Sequence, residues 1–445
     1  MTSEPWTSVV FAYLPGEEAA VPAGRLTLVE EGVLVVASKF GYGARYLRRQ
    51  NAIPVDPVSL PLTGAEPGGL REYEPQQGLE LFGAVRDAMP DAWGRRVIEN
   101  KLKAPPNSLK ESDYLRHAGS NRWGALDFRD RPTDAEQAGL LPEMTELVSL
   151  VDAADRVQRN EPVPEHLRRL FDAGPSMGGA RPKAVISRNG DAYIAKFPAL
   201  GDGFNVPQIE HAVLALARLC KLDVPETDLV RLPDERDVML IRRFDRVRLP
   251  SGGTERRHVI SGLTLLGLHE SESPTSSYAA LSLALSRYGA KGHLRADRAE
   301  LFSRMVFNIL VSNDDDHLRN HAFVWDEKAG GWKLSPLYDV LPKPQAAFER
   351  FLHLGVGQQG RLATLDNALS AAGQFGLSPR DAASTIDAIA ARTREWRGVF
   401  EDELGVPPSQ CELVASAFRR PNDIGLQQVT AVLKKKHAAR RRSTA

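Results

Sequence analysis

The sequence predicts an α+β fold of two lobes, with a mixed α/β N-terminal region and an all-α C-terminal lobe. Three observations lead there. Short apolar or alternating runs bounded by Gly, Pro and Asn recur through the first 250 residues, as in Gly32-Val33-Leu34-Val35-Val36 and Tyr193-Ile194-Ala195-Lys196-Phe197. After the Pro250-Ser251-Gly252-Gly253 turn the periodicity becomes almost wholly helical. The length, 445 residues, suggests two to three domains with a sizeable core. Texture divides the chain into a β-rich N-terminal subdomain (1–105), an α/β lobe with a glycine loop (106–250) and a helical lobe with a basic tail (251–445).

In chain order, the first segment ends in a helix around Ala92 to Leu102, and a more polar helical stretch follows, with breakers at Pro105-Pro106 and Pro162-Val163-Pro164. Next comes the small-residue loop Gly174-Pro175-Ser176-Met177-Gly178-Gly179-Ala180-Arg181-Pro182-Lys183, running into the strand Ala184-Val185-Ile186. Glycines let backbone N–H groups approach phosphate oxygens, and nearby cations neutralise the charge. A hairpin turn at Asn189-Gly190 leads to an alternating strand that carries Lys196. A strand lysine after a glycine loop is a means of gripping the α- and β-phosphates of ATP; the other reading of Lys196 is an edge-strand lysine in solvent.

The helix from Gln208 to Leu219 repeats apolar residues at 209, 213, 216 and 217, with Glu210 in its first turns. Glu210 is placed to pair with Lys196, or is simply an exposed helix glutamate. Asp237 to Ile241 reads as a buried strand leading to Arg242-Arg243-Phe244, where Arg242 backbone groups and the Phe244 ring are candidates for adenine contacts.

The helical lobe holds the most informative stretch, NILVSNDDDHLRNHAFVWDEKAGGWKLSPLYDV at 308–340. Leu301, Phe302, Met305, Val306, Ile309 and Leu310 form an apolar helix face that delivers the acids to the edge of a core. Two short strands are expected around Gly330-Gly331. Asp315 precedes Asn320 by five positions and Asp339 follows. Phosphoryl transfer from ATP needs one carboxylate to orient the acceptor hydroxyl, and an amide with a second carboxylate to hold Mg²⁺. The D-x-x-x-x-N step has the spacing of protein-kinase catalytic loops. Three consecutive acids also suit a solvated loop. His317 is either a general base or a core histidine bonding the loop backbone. The one G-x-S-x-G match, Gly174 to Gly178, runs into a strand and not into the helix that a nucleophile elbow requires, which argues against a serine hydrolase.

Basic and acidic residues balance at 57 each, leaving no global footprint for nucleic acid. No window approaches the ~20 apolar residues of a membrane span, and the start MTSEPWTSVV lacks a basic n-region, so a cytoplasmic chain with no membrane partner is expected. Cys220 and Cys411 lack metal-ligand spacing and read as small buried hydrophobes. The tail from Lys434 to Arg442 is a solvated helix end, or touches DNA phosphates.

In this order the segments resemble the HipA family of serine/threonine kinases, toxins of bacterial type II toxin–antitoxin modules. The resemblance rests on SMGGARPK at 176–183, YIAKFP at 193–198, IRRFDR at 241–246, DDHLRNHAF at 315–323 and SPLYDV at 335–340. FAYLP at 11–15, SLPL at 59–62, MPDAWGRRVI at 89–98 and RWGALDF at 122–128 resemble the family's N-terminal subdomain. It implies a protein-kinase-like, HipA-like fold. It also implies Asp315 as catalytic base, Asn320 and Asp339 as Mg²⁺ ligands, and an ATP site of Lys196, Ser176, Met177, Gly178, Gly179, Ala180, Lys183, Arg242, Phe244 and His317. Asp314 and Asp316 leave a slip of one position open, but the D-x-H-x-R-N register selects Asp315. Ser176 occupies the position that is autophosphorylated in the family, and Arg181-Pro182 stands where other members carry Gln-Glu.

The resemblance further implies a HipB-like helix-turn-helix antitoxin as partner, DNA contact through that complex, and a translation-related protein substrate, with glutamate-tRNA ligase or another aminoacyl-tRNA synthetase leading. The rival readings are a small-molecule kinase and a catalytically idle co-repressor module.

Overall fold

The computed structural model describes residues 4–62, 71–76, 78–137, 139–168 and 179–442. Its contacts divide into two compact units. The first comprises Met1–Gly201, Val230–His269 and Ala322–Glu327, and the second Asp202–Leu229, Glu270–His321 and Lys328–Ala445. Among the described residues no helix is long and apolar enough to cross a membrane.

The first unit opens with an antiparallel sheet of five strands, in spatial order Glu72–Tyr73, Leu34–Tyr42, Ala20–Glu31, Trp6–Tyr13 and Leu126–Arg129. The apolar run read as a strand from Gly32 in fact straddles a hairpin. Gly32 sits at φ +61 in the turn and the strand begins at Leu34, because the left-handed conformation there favours a residue without Cβ. The helix Ala92–Leu102 forms where expected; the Asp91 carboxylate caps it by accepting from Gly94 N at 2.6 Å.

A second sheet aligns Lys183–Arg188, Asp191–Lys196 and Asp237–Arg242 antiparallel. Asn189 and Gly190 turn between the first two with φ of 56° and 82°, the pair of left-handed residues that a type I′ hairpin requires. One face of this sheet presents Ala184, Ile186, Tyr193, Ala195, Val238 and Leu240 to a core shared with Trp93 and with the helix Leu147–Gln158. Period-two alternation puts Lys183, Val185, Ile194, Lys196, Met239 and Ile241 on the opposite face.

Past the turn at 250 the strand Ala322–Asp326 forms where the sequence placed one, and the first unit also adds two strands in a stretch read as helical, Thr254–Arg256 paired with Arg246–Arg248 and Val259–Ser261 paired with Ala322–Asp326. Three-residue strands are too short to show an alternation, so they left no periodic signal.

The second unit is built on the helix Leu294–Val311, whose predicted apolar face is buried without exception at Leu301, Phe302, Met305, Val306, Ile309 and Leu310. Its C-cap is Ser312 at φ +51, so the chain leaves the helix sharply and runs straight into the acids. The helix Val206–Leu219 buries Ile209, Val213, Leu216 and Ala217 as the spacing predicted. The strand Gly331–Leu334 follows Gly330, at φ +60.

Candidate functional site

The acidic triplet separates into three environments within the second unit. Asp314 takes Lys343 Nζ at 3.1 Å and Gln345 Nε2 at 2.6 Å. Asp316 is buried, accepting from Asn308 Nδ2 at 2.7 Å, from His321 Nε2 at 3.0 Å and from the Tyr278 hydroxyl. Burial pushes the Asp316 carboxyl up, but His321 and Tyr278 outweigh it and leave the pKa below the ordinary carboxylate value. Burial, then Asp316, raises the Tyr278 phenol. Asp315 between them is exposed. Asp315 is thus the most exposed of the three.

Backbone geometry ties Asp315 to Asn320. Asp315 O accepts from His317 N at 2.8 Å and from Asn320 Nδ2 at 3.0 Å. Because the amide nitrogen is committed, Asn320 Oδ1 is the atom left to face a cation. Asp339 lies at φ +58, a conformation that costs a non-glycine residue of order 1 kcal/mol and is held where surrounding structure dictates it. Its neighbours supply that hold: Tyr338 OH donates to Arg319 O at 2.8 Å, Leu337 N to Asp223 O at 2.7 Å and Arg304 Nη2 to Ser335 O at 2.6 Å. An amide oxygen and a carboxylate are hard donors that suit Mg²⁺, which keeps several waters and takes few protein ligands. Among the described residues no group of three His, Cys, Asp or Glu is arranged to hold a metal ion. The residues present fit the metal.

His317 is half-buried and its ring lies edge-on to His353, with centroids 5.8 Å apart. Of the two sequence readings it is nearer the packed histidine, although a ring neighbour, not the loop backbone, is what it meets. His353 Nε2 lies 3.0 Å from Ser273 Oγ, which also accepts from Leu318 N at 3.2 Å.

In the first unit Lys196 is half-buried at the end of an interior strand of its sheet, opposite Met239 and Lys183. It is no edge-strand lysine. Lys183 departs from the phosphate role expected of it. It is 1% exposed and its Nζ meets Asp91 Oδ2 at 2.7 Å and donates to Gly179 O at 3.2 Å. Trp93 reinforces this anchorage, its Nε1 donating to Lys183 O at 2.8 Å and its backbone N to Gly179 O at 3.4 Å. Gly179, at φ +93, and Ala180 are exposed. Ser176, Met177 and Gly178 lie outside the described residues.

Glu210, in the second unit, is not an exposed helix glutamate: it is 2% exposed. Arg242 directs its guanidinium to Asp191 Oδ2 at 2.9 Å, and Phe244 is half-buried.

The other residues of IRRFDR do work that sequence reasoning missed. Arg243 and Asp245 are buried, and Arg243 donates to Asp245, to Asn121 Oδ1 at 2.9 Å and to Arg122 O at 2.8 Å. Asp245 accepts from Gly124 N at 2.8 Å and from Arg246 Nη1 at 2.8 Å. Burial alone would raise the Asp245 pKa, yet Arg243 and Arg246 hold it down at about 2. The strand that reaches Arg242 is thus locked onto the RWGALDF segment. The alternation of charge in R-R-F-D-R was the only trace of this lock in the sequence.

Comparison with known proteins bears on the family and the fold. Residues 175–397, half of the chain, match the model of the HipA-like C-terminal domain. The putative kinase Y4mE of Sinorhizobium fredii is 27% identical over 321 residues, covering 68% of this chain and 71% of its own length. The putative kinase Y4dM of the same organism is 27% identical over 229 residues, 48% of this chain and 53% of its own length. The chain therefore spans about half of Y4dM. Among solved structures, HipA of Shewanella oneidensis MR-1, determined with HipB and operator DNA, superposes with a TM-score of 0.66 at 18% identity, over 95% of this chain and 96% of that one. The fold is HipA-like.

Proposed function

Because this chain belongs to the family of the HipA-like C-terminal domain, we propose that it is an ATP- and Mg²⁺-dependent serine/threonine protein kinase of the HipA type. The observation that carries the proposal is the loop in which Asp315 alone of three acids faces solvent while its backbone carbonyl orients the Asn320 amide. In this reading Asp315 aligns the acceptor hydroxyl and receives its proton. Lys196 grips the ATP phosphates and Glu210 pairs with Lys196. Asn320 and Asp339 hold Mg²⁺, which when bound offsets the charge on the phosphoryl oxygens. Arg242 and Phe244 are the adenine candidates, and His317 packs beside the base.

Ser176 is the proposed autophosphorylation site. A phosphate there adds about two negative charges to the loop meant for those of ATP, so modification would silence the enzyme. The proposed role is that of a growth-inhibiting cytoplasmic toxin. Its substrate would be an aminoacyl-tRNA synthetase such as glutamate-tRNA ligase, and its partner a HipB-like antitoxin that brings it to DNA. The partner proposal is supported by the Shewanella HipA, which was solved with HipB and operator DNA.

The test is intact-mass analysis of wild type and Asp315→Asn after incubation with Mg·ATP, with peptide mapping. One added phosphate on Ser176 in wild type only is expected. A wild type that arrives unphosphorylated and stays so, with no labelled polypeptide in lysate, overturns the reading.

A further inference from the structure

We propose that Asp316 is the positioning residue of the catalytic loop, its buried carboxylate joining three elements so that Asp315 and the Asn320 amide face the same way. The inference rests on the kinase reading but concerns residues to which that reading gives no role. Asp316 gathers the Tyr278 hydroxyl from the helix Tyr278–Tyr288, Asn308 Nδ2 from the helix Leu294–Val311, and His321 Nε2 from the chain immediately after Asn320.

Each partner is itself fixed. Asn308 Nδ2 also lies 3.2 Å from the Tyr278 oxygen, and Asn308 Oδ1 accepts from Asn313 Nδ2 at 3.1 Å. Asn308 O accepts from Asn313 N at 3.0 Å, so one residue holds the entry to the acids by main chain and side chain together. His321 is fully buried and meets the Tyr278 ring edge-on, with centroids 5.4 Å apart.

Geometry then forces the consequence. Asp316 and His321 bracket the turn that contains His317 and Asn320, and inside that turn His317 N and Asn320 Nδ2 both bond Asp315 O. A loop pinned before and after its turn by one carboxylate keeps the Asp315 carbonyl fixed, and with it the amide oxygen of Asn320. Burying a carboxylate among polar partners does little for stability compared with an apolar filling. What it supplies is direction, since three donors define where the backbone on either side must lie.

Four variants of the full chain test this: Asp316→Asn, Tyr278→Phe, His321→Gln and His321→Leu. The readouts are kcat and KM for Mg·ATP turnover, thermal melting, and amide hydrogen exchange at 317–320. Asp316→Asn is expected to lower kcat by about tenfold to a hundredfold, the scale of an ångström-level misplacement, with KM within about twofold and a separate melting transition retained. Exchange at 317–320 should accelerate while the flanking helices stay protected. His321→Gln keeps an N–H donor and should retain kcat within about threefold, whereas His321→Leu should fall with Asp316→Asn. Tyr278→Phe should lie between.

Two results overturn the proposal: an Asp316→Asn enzyme with wild-type kcat and exchange, or a joint loss of kcat, KM and melting in which His321→Gln is no better than His321→Leu. The exchange measurement needs no turnover. If wild type proves inert, the kinase reading fails, and exchange alone decides whether Asp316 orders the loop.

Discussion

Replacing Asp91 by alanine should unfold the first unit more readily than any surface change, and it separates two roles for Lys183. The Lys183 ammonium is 1% exposed and lies 2.7 Å from Asp91 Oδ2, whose other oxygen caps Gly94 N at 2.6 Å. Removing one partner of a buried ion pair leaves a desolvated charge and costs about 3–5 kcal/mol. Losing the N-cap adds about 1 kcal/mol. The two losses share one carboxylate and do not add in full, so about 4 kcal/mol is expected.

The assay is urea unfolding followed through tryptophan emission, since Trp93 lies two residues after Asp91 and bonds the Lys183 carbonyl. Asp91→Leu with Lys183→Met removes both charges and should recover most of the loss. In the same preparations Lys183→Met should leave KM for ATP within about threefold, while Lys196→Met should raise it by tenfold or more, as loss of a charge-assisted phosphate contact does. An Asp91→Ala protein destabilised by less than about 1 kcal/mol, the level of an exposed pair, would refute the anchorage. A Lys183→Met enzyme with ATP binding as weak as Lys196→Met would return Lys183 to the phosphates.

Three further outcomes follow from the site and its supports. Asp339→Asn should raise the Mg²⁺ concentration needed for half-maximal phosphate transfer by at least about tenfold, read by titrating Mg²⁺ at saturating ATP. Asp245→Asn, which strips the carboxylate from buried Arg243 and Arg246, should cost about 3–5 kcal/mol in the same urea assay while Asp191→Asn, paired to the exposed Arg242, costs under 1 kcal/mol. Buried His258, whose Nε2 lies 2.8 Å from Val55 O, has its pKa lowered by burial to about 4; between the ordinary value of 6.5 and that value only the unfolded chain binds the proton, so stability falls with acidification through that window. Wild type should lose about 3 kcal/mol more than His258→Gln between pH 7 and pH 4.

The sequence made much of this architecture visible where a period was long enough to count. The helix Leu294–Val311 and the helix Val206–Leu219 bury the residues their spacing assigned, and Asn189-Gly190 turns where its dipeptide required. What stayed hidden was either short or decided by tertiary partners. The strands Thr254–Arg256 and Val259–Ser261 have three residues each, too few to alternate. Lys183 and Lys196 both sit at strand ends within two residues of a proline and look alike in sequence. Only the approach of Asp91, 92 positions earlier, separates a buried anchor from a candidate phosphate ligand.

The acids at 314–316 show how one residue type is given three fates by the backbone that carries it. The helix before them ends at Ser312 in a left-handed turn, so successive side chains no longer share a helical face and neighbours diverge. Asp314 meets Lys343, Asp316 is drawn into the core by Tyr278, Asn308 and His321, and Asp315 is left outward with its carbonyl engaged. A base must reach a substrate, so it belongs at the exposed position; an orienting group must not move, so it belongs at the buried one. Exchanging the two is therefore not conservative even though both are aspartate. Asparagine at 315 should remove transfer and leave the loop ordered, whereas asparagine at 316 should leave a base that points the wrong way.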